Sequence, residues 1–205
     1  MSNTTDETGQ RSRNRWGEGI RLRTEILDAA GRLLSELDGE DALTIRGVAR
    51  AVGIAPASIY QHFADRTELV QGLLEHEFAR LQVLLDKADA QADPEDMIGR
   101  VRAQVFAYGD FATTHPGHYR LLLSATSRQA PENPPEPLMK ILAMFATAFD
   151  RCRQAGHQVR LPPDRCAVMV VVSTHGLVAL AQPRTATVPD RLRQNIEDLL
   201  TLILG

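Results

Sequence analysis

Residues Thr44–Leu69 read TIRGVARAVGIAPASIYQHFADRTEL. Thr44 suits a helix N-cap, because its hydroxyl accepts a hydrogen bond from a backbone N–H left free at a helix start. Ile45, Val48, Ala49 and Val52 then recur at helical spacing. Gly53 stands where that helix must stop, and glycine takes the left-handed conformation there without a steric penalty. Pro56 occupies the favoured first position of a second helix, whose apolar side is Ile59, Tyr60 and Phe63. Asp65 and Glu68 form a capping box ahead of the apolar run that begins at Leu69. Two short helices around a glycine turn make a helix-turn-helix, whose second helix fits a DNA major groove.

Two short helices bury too little apolar surface to stand alone. The support lies upstream. From Ile20 to Leu37, Ile26, Ala30, Leu33, Leu34 and Leu37 share one helical face, and Arg23, Glu25, Asp28, Arg32 and Glu36 lie mostly on the other. Residues 1–19 are polar and aperiodic, so disorder is expected there. Arg11, Arg13 and Arg15 make this stretch either a solvated tail or a basic arm that touches the DNA backbone or minor groove.

Downstream, the helix opened by Asp65 runs to about Ala90, with Leu69, Leu73, Phe78, Leu81 and Leu85 on its buried face. Asp93-Pro94-Glu95-Asp96 reads as the next start, with a cap and a proline in first position, ahead of Val101, Val105, Tyr108 and Phe111. His115-Pro116 ends that helix and opens another over 117–127, with Tyr119 and Leu122 inward. The loop APENPPEP (130–137) precedes a helix from Leu138 to Ala155, which Gly156 caps. The helix from Arg165 to about Leu180 is apolar nearly all round and is expected to be buried on more than one side. A loop from Pro183 to Pro189 leads to a last amphipathic helix marked by Val188, Leu192, Ile196, Leu199, Leu200 and Ile203. The fold class is all-α, with about nine helices. The organisation is an N-terminal arm (1–19), a three-helix helix-turn-helix domain (20–67) and a C-terminal helical domain (68–205).

The net charge of -3 is not that of a histone-like protein, so any DNA contact must come from a local basic face. Two cysteines, Cys152 and Cys166, do not make a disulfide framework and fit a reducing compartment. The N-terminus has no apolar run of signal-peptide length, and the most apolar window, Cys166–Ala181, is too short to span a bilayer. A soluble, cytoplasmic protein is therefore expected. His115-x-x-His118 has a zinc-compatible spacing, but Pro116 and Gly117 intervene and no acid falls in register. A Gly-rich phosphate loop and a serine nucleophile elbow are also lacking. The expectation is a protein that is not an enzyme, with no cofactor and no metal.

Residues 24–70 resemble the N-terminal domain of TetR-type transcriptional repressors. The matching positions are Ile26, Ala29-Ala30, Leu33-Leu34, Thr44, Val48-Ala49, Gly53-Ile54, Pro56-Ala57-Ser58-Ile59-Tyr60, His62-Phe63, Arg66 and Glu68-Leu69. The resemblance implies a homodimer joined through its last two helices, a DNA-binding N-terminal domain and a C-terminal domain that holds a small-molecule inducer. Beyond residue 70 the likeness is one of outline. Ser173–Leu180 is similar to the His-Gly segment of one subgroup, although that subgroup's upstream Trp is missing here. Ala55 also departs from the pattern, because the family usually carries a hydroxyl there to cap the second helix.

The resemblance places Pro56, Ala57 and Gln61 against the bases. Gln61 suits the donor–acceptor edge of adenine, and Ala57 suits a thymine methyl. Thr44, Ser58, Tyr60, His62 and Arg66 are assigned to phosphates, and Arg46 to a base or a phosphate. The plainer readings are a half-buried tyrosine at Tyr60 and an ordinary surface histidine at His62. For the ligand, the candidates are Phe106, Phe111, Met144, Phe145, Met169, Val172 and His175, each of which also reads as core. Gly176 would permit a close dimer contact. The function expected is that of a repressor released from a palindromic double-stranded DNA operator by a small, mostly apolar inducer of unknown identity. Ala55 and the negative charge keep one alternative open, a helical interaction module whose head no longer binds DNA.

Overall fold

The computed structural model describes residues 16–36, 43–115, 117–119, 121–122, 136–180 and 188–205. Among these residues all regular structure is helical: α1 (Trp16–Glu36), α2 (Ile45–Val52), α3 (Pro56–Ile59), α4 (Arg66–Gln91), α5 (Met97–Thr114), α6 (Glu136–Gln154), α7 (Pro163–Leu180) and α8 (Val188–Leu204). Residues 117–119 and 121–122 are helical as well. Arg11, Arg13, Arg15, Leu37 and the Pro-rich loop up to Pro135 lie outside the described residues. No helix among those described is long and apolar enough to cross a membrane.

Local signals set most boundaries. Thr44 caps α2 by accepting a hydrogen bond from Gly47 N at 3.0 Å. Gly53 ends α2 at φ 82°, where its own N–H and that of Ile54 both reach the Ala49 carbonyl. Asp65 caps α4 through Glu68 N at 2.8 Å, and the Glu68 carboxylate reaches back to the N–H of Ala64, one residue before the cap. Ala55 sits at the N-cap of α3 without a side-chain hydrogen bond, and α3 is only one turn long.

Two expectations need correction. Helix α1 begins at Trp16 rather than Ile20, because an amphipathic helix already nucleated on its apolar face extends upstream with one hydrogen bond gained per residue. Helix α5 begins at Met97, not at Pro94. The Asp93 carboxylate accepts from Glu95 N in a local turn, which leaves Asp96 as the cap that accepts from Gly99 N at 2.8 Å. Helix α7, apolar nearly all round, packs against α5, α6 and α8 and so is buried on more than one side, while Val168, Met169 and Val172 stay exposed, Val172 at 61%. Val168 and Val172 border the cavity described below.

The core is continuous from the head into the body. Ile26, Ala30 and Leu34 of α1 pack with Val48 and Ala49 of α2 and with Ile59, Phe63, Leu69 and Leu73, all buried. Helix α4, about 39 Å long at 1.5 Å per residue, carries the same core onward through Phe78, Leu81 and Leu85. Both cysteines are buried and free, and burial pushes the Cys152 thiol up to about 11.

Asp89 ties α4, α5 and α6 together. Its carboxylate receives two donors from Arg100 and two from Arg151, the shortest of the Arg151 contacts being 2.6 Å. Burial opposes the charge on Asp89, but the hydrogen bonds from the two guanidinium groups outweigh it and hold the carboxyl below its ordinary pKa. A depressed folded-state pKa stabilises the fold above the ordinary aspartate value of about 3.9, and that stabilisation is lost as pH falls through the folded-state value. Asp89→Asn should therefore cost about 2 kcal/mol at pH 7. The difference from the natural chain should shrink as urea melts are taken from pH 5 downward.

Candidate DNA interface and ligand cavity

The head presents one solvent-facing surface built from α2, the turn and α3. Pro56, Ala57, Tyr60 and Gln61 are exposed there, Tyr60 at 56%. Arg46 is exposed on α2. From residue 44 to residue 64 the sequence carries Arg46 and Arg50 and no acidic side chain, so this face is locally basic although the chain is not. Tyr60 is therefore not the half-buried tyrosine of the plainer reading. His62 is half-buried, with Nε2 enclosed and lacking a hydrogen-bond partner, so it is not an ordinary surface histidine either. Thr44 and Ser58 lie beside this face, and the Thr44 hydroxyl is engaged as the α2 cap. The Arg66 Nε donates to the Leu43 carbonyl at 2.8 Å, which ties the start of α4 to the segment before α2. That structural bond was invisible in the motif, because its partner lies 23 residues away.

Within the body, a cavity of about 370 Å³ opens between four elements and the 117–122 stretch. Phe78 and Leu81 of α4, Tyr108 of α5, and Tyr119 and Leu122 form one side. Leu138, Ile141 and Leu142 of α6 face Val168, Val171, Val172 and His175 of α7. Of the sequence candidates only Val172 and His175 line it. Phe106 is on another face of α5, half-buried under the guanidinium of Arg193 at 5.0 Å. Phe111 is core, stacked on His115. Phe145 is fully buried and meets Tyr108 edge to face at 5.8 Å. Met144 is half-buried, and Met169 lies 38% exposed on another side of α7. Helical period alone does not separate a cavity wall from the packed stripe that continues it, which is why residues such as Leu138 and Ile141 read only as core. The better signal was two tyrosines, Tyr108 and Tyr119, inside apolar stripes, where each hydroxyl needs a partner.

These tyrosines and His175 form the polar end of the cavity. The ring centroids of Tyr119 and His175 are 6.0 Å apart, and those of Tyr108 and Tyr119 are 6.2 Å apart. Burial pushes the Tyr108 hydroxyl up to about 12, and burial together with the Tyr108 charge pushes Tyr119 up as well. Burial also holds His175 below the ordinary imidazole value, so its ring is neutral at pH 7.

Between head and cavity lies a buried polar cluster. Glu77 of α4 is fully buried, 2.7 Å from His118 Nδ1 and 3.3 Å from Arg80 Nη1. The His118 contact is a close approach that falls outside hydrogen-bond geometry. Gly31 of α1 packs directly on this pair: a Cβ there would stand 3.0 Å from Glu77 Oε1 and 3.0 Å from His118 Cε1. His118 is thus turned to Glu77, and no group of three or more His, Cys, Asp or Glu among the described residues is placed to hold a metal ion.

A helix-turn-helix head joined by one long helix to a cavity-bearing helical body defines a class of bacterial regulatory proteins. Residues 26–73 match the family described as bacterial regulatory proteins, tetR family, and residues 101–203 match the tetracyclin repressor-like C-terminal domain. The chain belongs to the TetR family, whose members are DNA-binding transcriptional regulators and often ligand-responsive repressors. It is 29% identical over 104 residues to the nucleoid occlusion factor SlmA of Vibrio campbellii, covering 49% of this chain and 50% of that protein. It is 32% identical over 107 residues to an uncharacterized HTH-type transcriptional regulator of Haemophilus influenzae, covering 52% of this chain and 51% of the other. The chain thus spans about half the length of the curated relatives it matches. Among solved structures, a protein of unknown function from Rhodococcus sp. RHA1 superposes with a TM-score of 0.73 at 24% identity, covering 96% of this chain and 100% of that one. The ketosteroid transcriptional regulator KstR2 of Mycobacterium tuberculosis gives 0.66 at 20% identity, covering 90% and 95%. At these identities the likeness is one of fold.

Proposed function

We propose that this protein is a homodimeric repressor that holds a palindromic operator with its two heads and is released when a small, mostly apolar ligand fills the body cavity. The observation that carries the reading is the acid-free surface of α2 and α3, with Arg46, Tyr60 and Gln61 exposed together. In the helix-turn-helix geometry this surface faces the major groove. Dimerisation through α7 and α8 is supported by a groove between them lined by Ser173, Gly176, Leu177 and Leu199, with Leu202 66% exposed beside it. A two-fold dimer must space its recognition helices by about one turn of DNA, ~34–36 Å. A ligand that binds better when the heads are differently spaced lowers DNA affinity by that difference in binding energy. Helix α4 suits the role of lever, since Leu69 and Leu73 lie in the head core while Phe78 and Leu81 face the cavity.

The test is binding of the purified protein to the DNA flanking its own gene at two salt concentrations, together with its mass in solution. The expected result is a dimer bound to a palindrome with an affinity that falls steeply as salt rises. A folded dimer that shows no specific binding would shift the reading to an interaction module.

A further inference from the structure

The cavity invoked above has a single polar end, and we propose that its ligand is a neutral molecule with an apolar body and one oxygen acceptor that takes the hydrogen bond of the Tyr119 hydroxyl. This rests on the reading of the cavity as the ligand site. Tyr119 is 1% exposed, and its hydroxyl oxygen is buried without a well-aligned hydrogen bond among the described residues. Buried hydroxyls are nearly always paired, so an orphan in a cavity wall is a donor left for whatever enters. The Tyr108 hydroxyl lies close enough to pair weakly with it but outside well-aligned hydrogen-bond geometry, so a better-placed acceptor on a ligand can take the Tyr119 proton.

The described wall excludes charge. The twelve described lining residues include no Lys, Arg, Asp or Glu. An ionised group would give up its water here without gaining a counter-charge. His175 supplies none, being neutral at pH 7. Size narrows the class further. At roughly 30 Å³ per heavy atom, the share of a water molecule in the liquid, about 370 Å³ accepts on the order of a dozen non-hydrogen atoms. A ketone, ester, ether or alcohol on a compact hydrocarbon skeleton meets all three conditions.

The test uses the full chain and two matched sets of probes, menthone with p-menthane and menthylamine, and dibutyl ketone with nonane and dibutylamine. Binding is followed by displacement of an environment-sensitive dye. At least one ketone should bind, its hydrocarbon partner should bind roughly tenfold more weakly or worse, and the protonated amine should not bind. Tyr119→Phe should abolish the ketone's advantage and leave hydrocarbon binding as it was. That hydroxyl makes no well-aligned hydrogen bond among the described residues, so the variant's melting temperature should stay near the natural one. On the natural chain, the carbonyl stretch of the bound ketone should fall below its value in a hydrocarbon solvent. An amine that binds as well as the ketone, a ketone advantage that survives Tyr119→Phe, or no binding by either ketone would overturn the proposal. DNA binding is measured on the same unliganded samples. Specific DNA binding without ketone binding defeats the ligand class alone, whereas loss of both defeats the regulator reading too.

Discussion

Arg46→Ala combined with Tyr60→Ala should weaken operator binding by roughly thirty- to a thousandfold per head, at about 1–2 kcal/mol for each contact removed. Both side chains are exposed, and neither makes a hydrogen bond or ion pair among the described residues, so the fold has nothing to lose with them. Thermal melting of the variant should match that of the natural chain. The two losses should differ in kind. A guanidinium on a phosphate is a counterion-releasing contact, so loss of Arg46 should reduce the slope of log affinity against log salt by about one per head. A tyrosine hydroxyl on a phosphate carries no charge, so loss of Tyr60 should leave that slope alone. The readout is fluorescence anisotropy with labelled operator DNA over a salt series. Unchanged affinity in the double variant would remove the α2–α3 surface from the DNA contact.

The largest effect on stability is expected at Glu77. Glu77→Ala should cost about 3 kcal/mol, because it removes a fully buried carboxyl group and leaves His118 without its 2.7 Å partner. Arg80 is partly exposed and can turn to water, which keeps the loss below the upper end of such measurements. For a chain of this length the melting temperature should drop by roughly 6–12 °C. Glu77→Gln keeps the shape and one acceptor oxygen, so it should lose less. Equal melting temperatures for Glu77→Ala and the natural chain would show that the cluster contributes nothing net. On the proposed function the effect should extend to DNA, because Glu77 meets Gly31 of α1 and shares α4 with Phe78 and Leu81 of the cavity wall. Glu77→Ala should also blunt the response of DNA affinity to ligand.

What the sequence made legible follows from the range of the interactions involved. Thr44, Gly53 and Asp65 act on backbone groups three to five residues away, and their caps could be read directly. The start of α5 was misplaced because Asp93 and Asp96 can both cap, and only the local turn decides between them. In the candidate site, the exposed α2–α3 face was readable from one helical turn. The cavity was not, because Ile141 and Phe145 share one helical stripe while only Ile141 borders empty space. The same is true of Arg66, whose bond to Leu43 depends on how two segments meet.

Gly117 shows how closely head and body meet. A Cβ at this position would lie 2.6 Å from the Leu34 carbonyl oxygen and 2.7 Å from Ser35 Cα, inside the backbone of α1. Gly31 on the facing helix makes room for the Glu77 and His118 side chains, so the seam has no space for a side chain at either glycine. Heads and bodies of this architecture are therefore not freely interchangeable parts. A hybrid regulator spliced within α4 would inherit a foreign α1, and it would couple its sensor to its operator only if the transplanted helix offered the same narrow gap to Gly117.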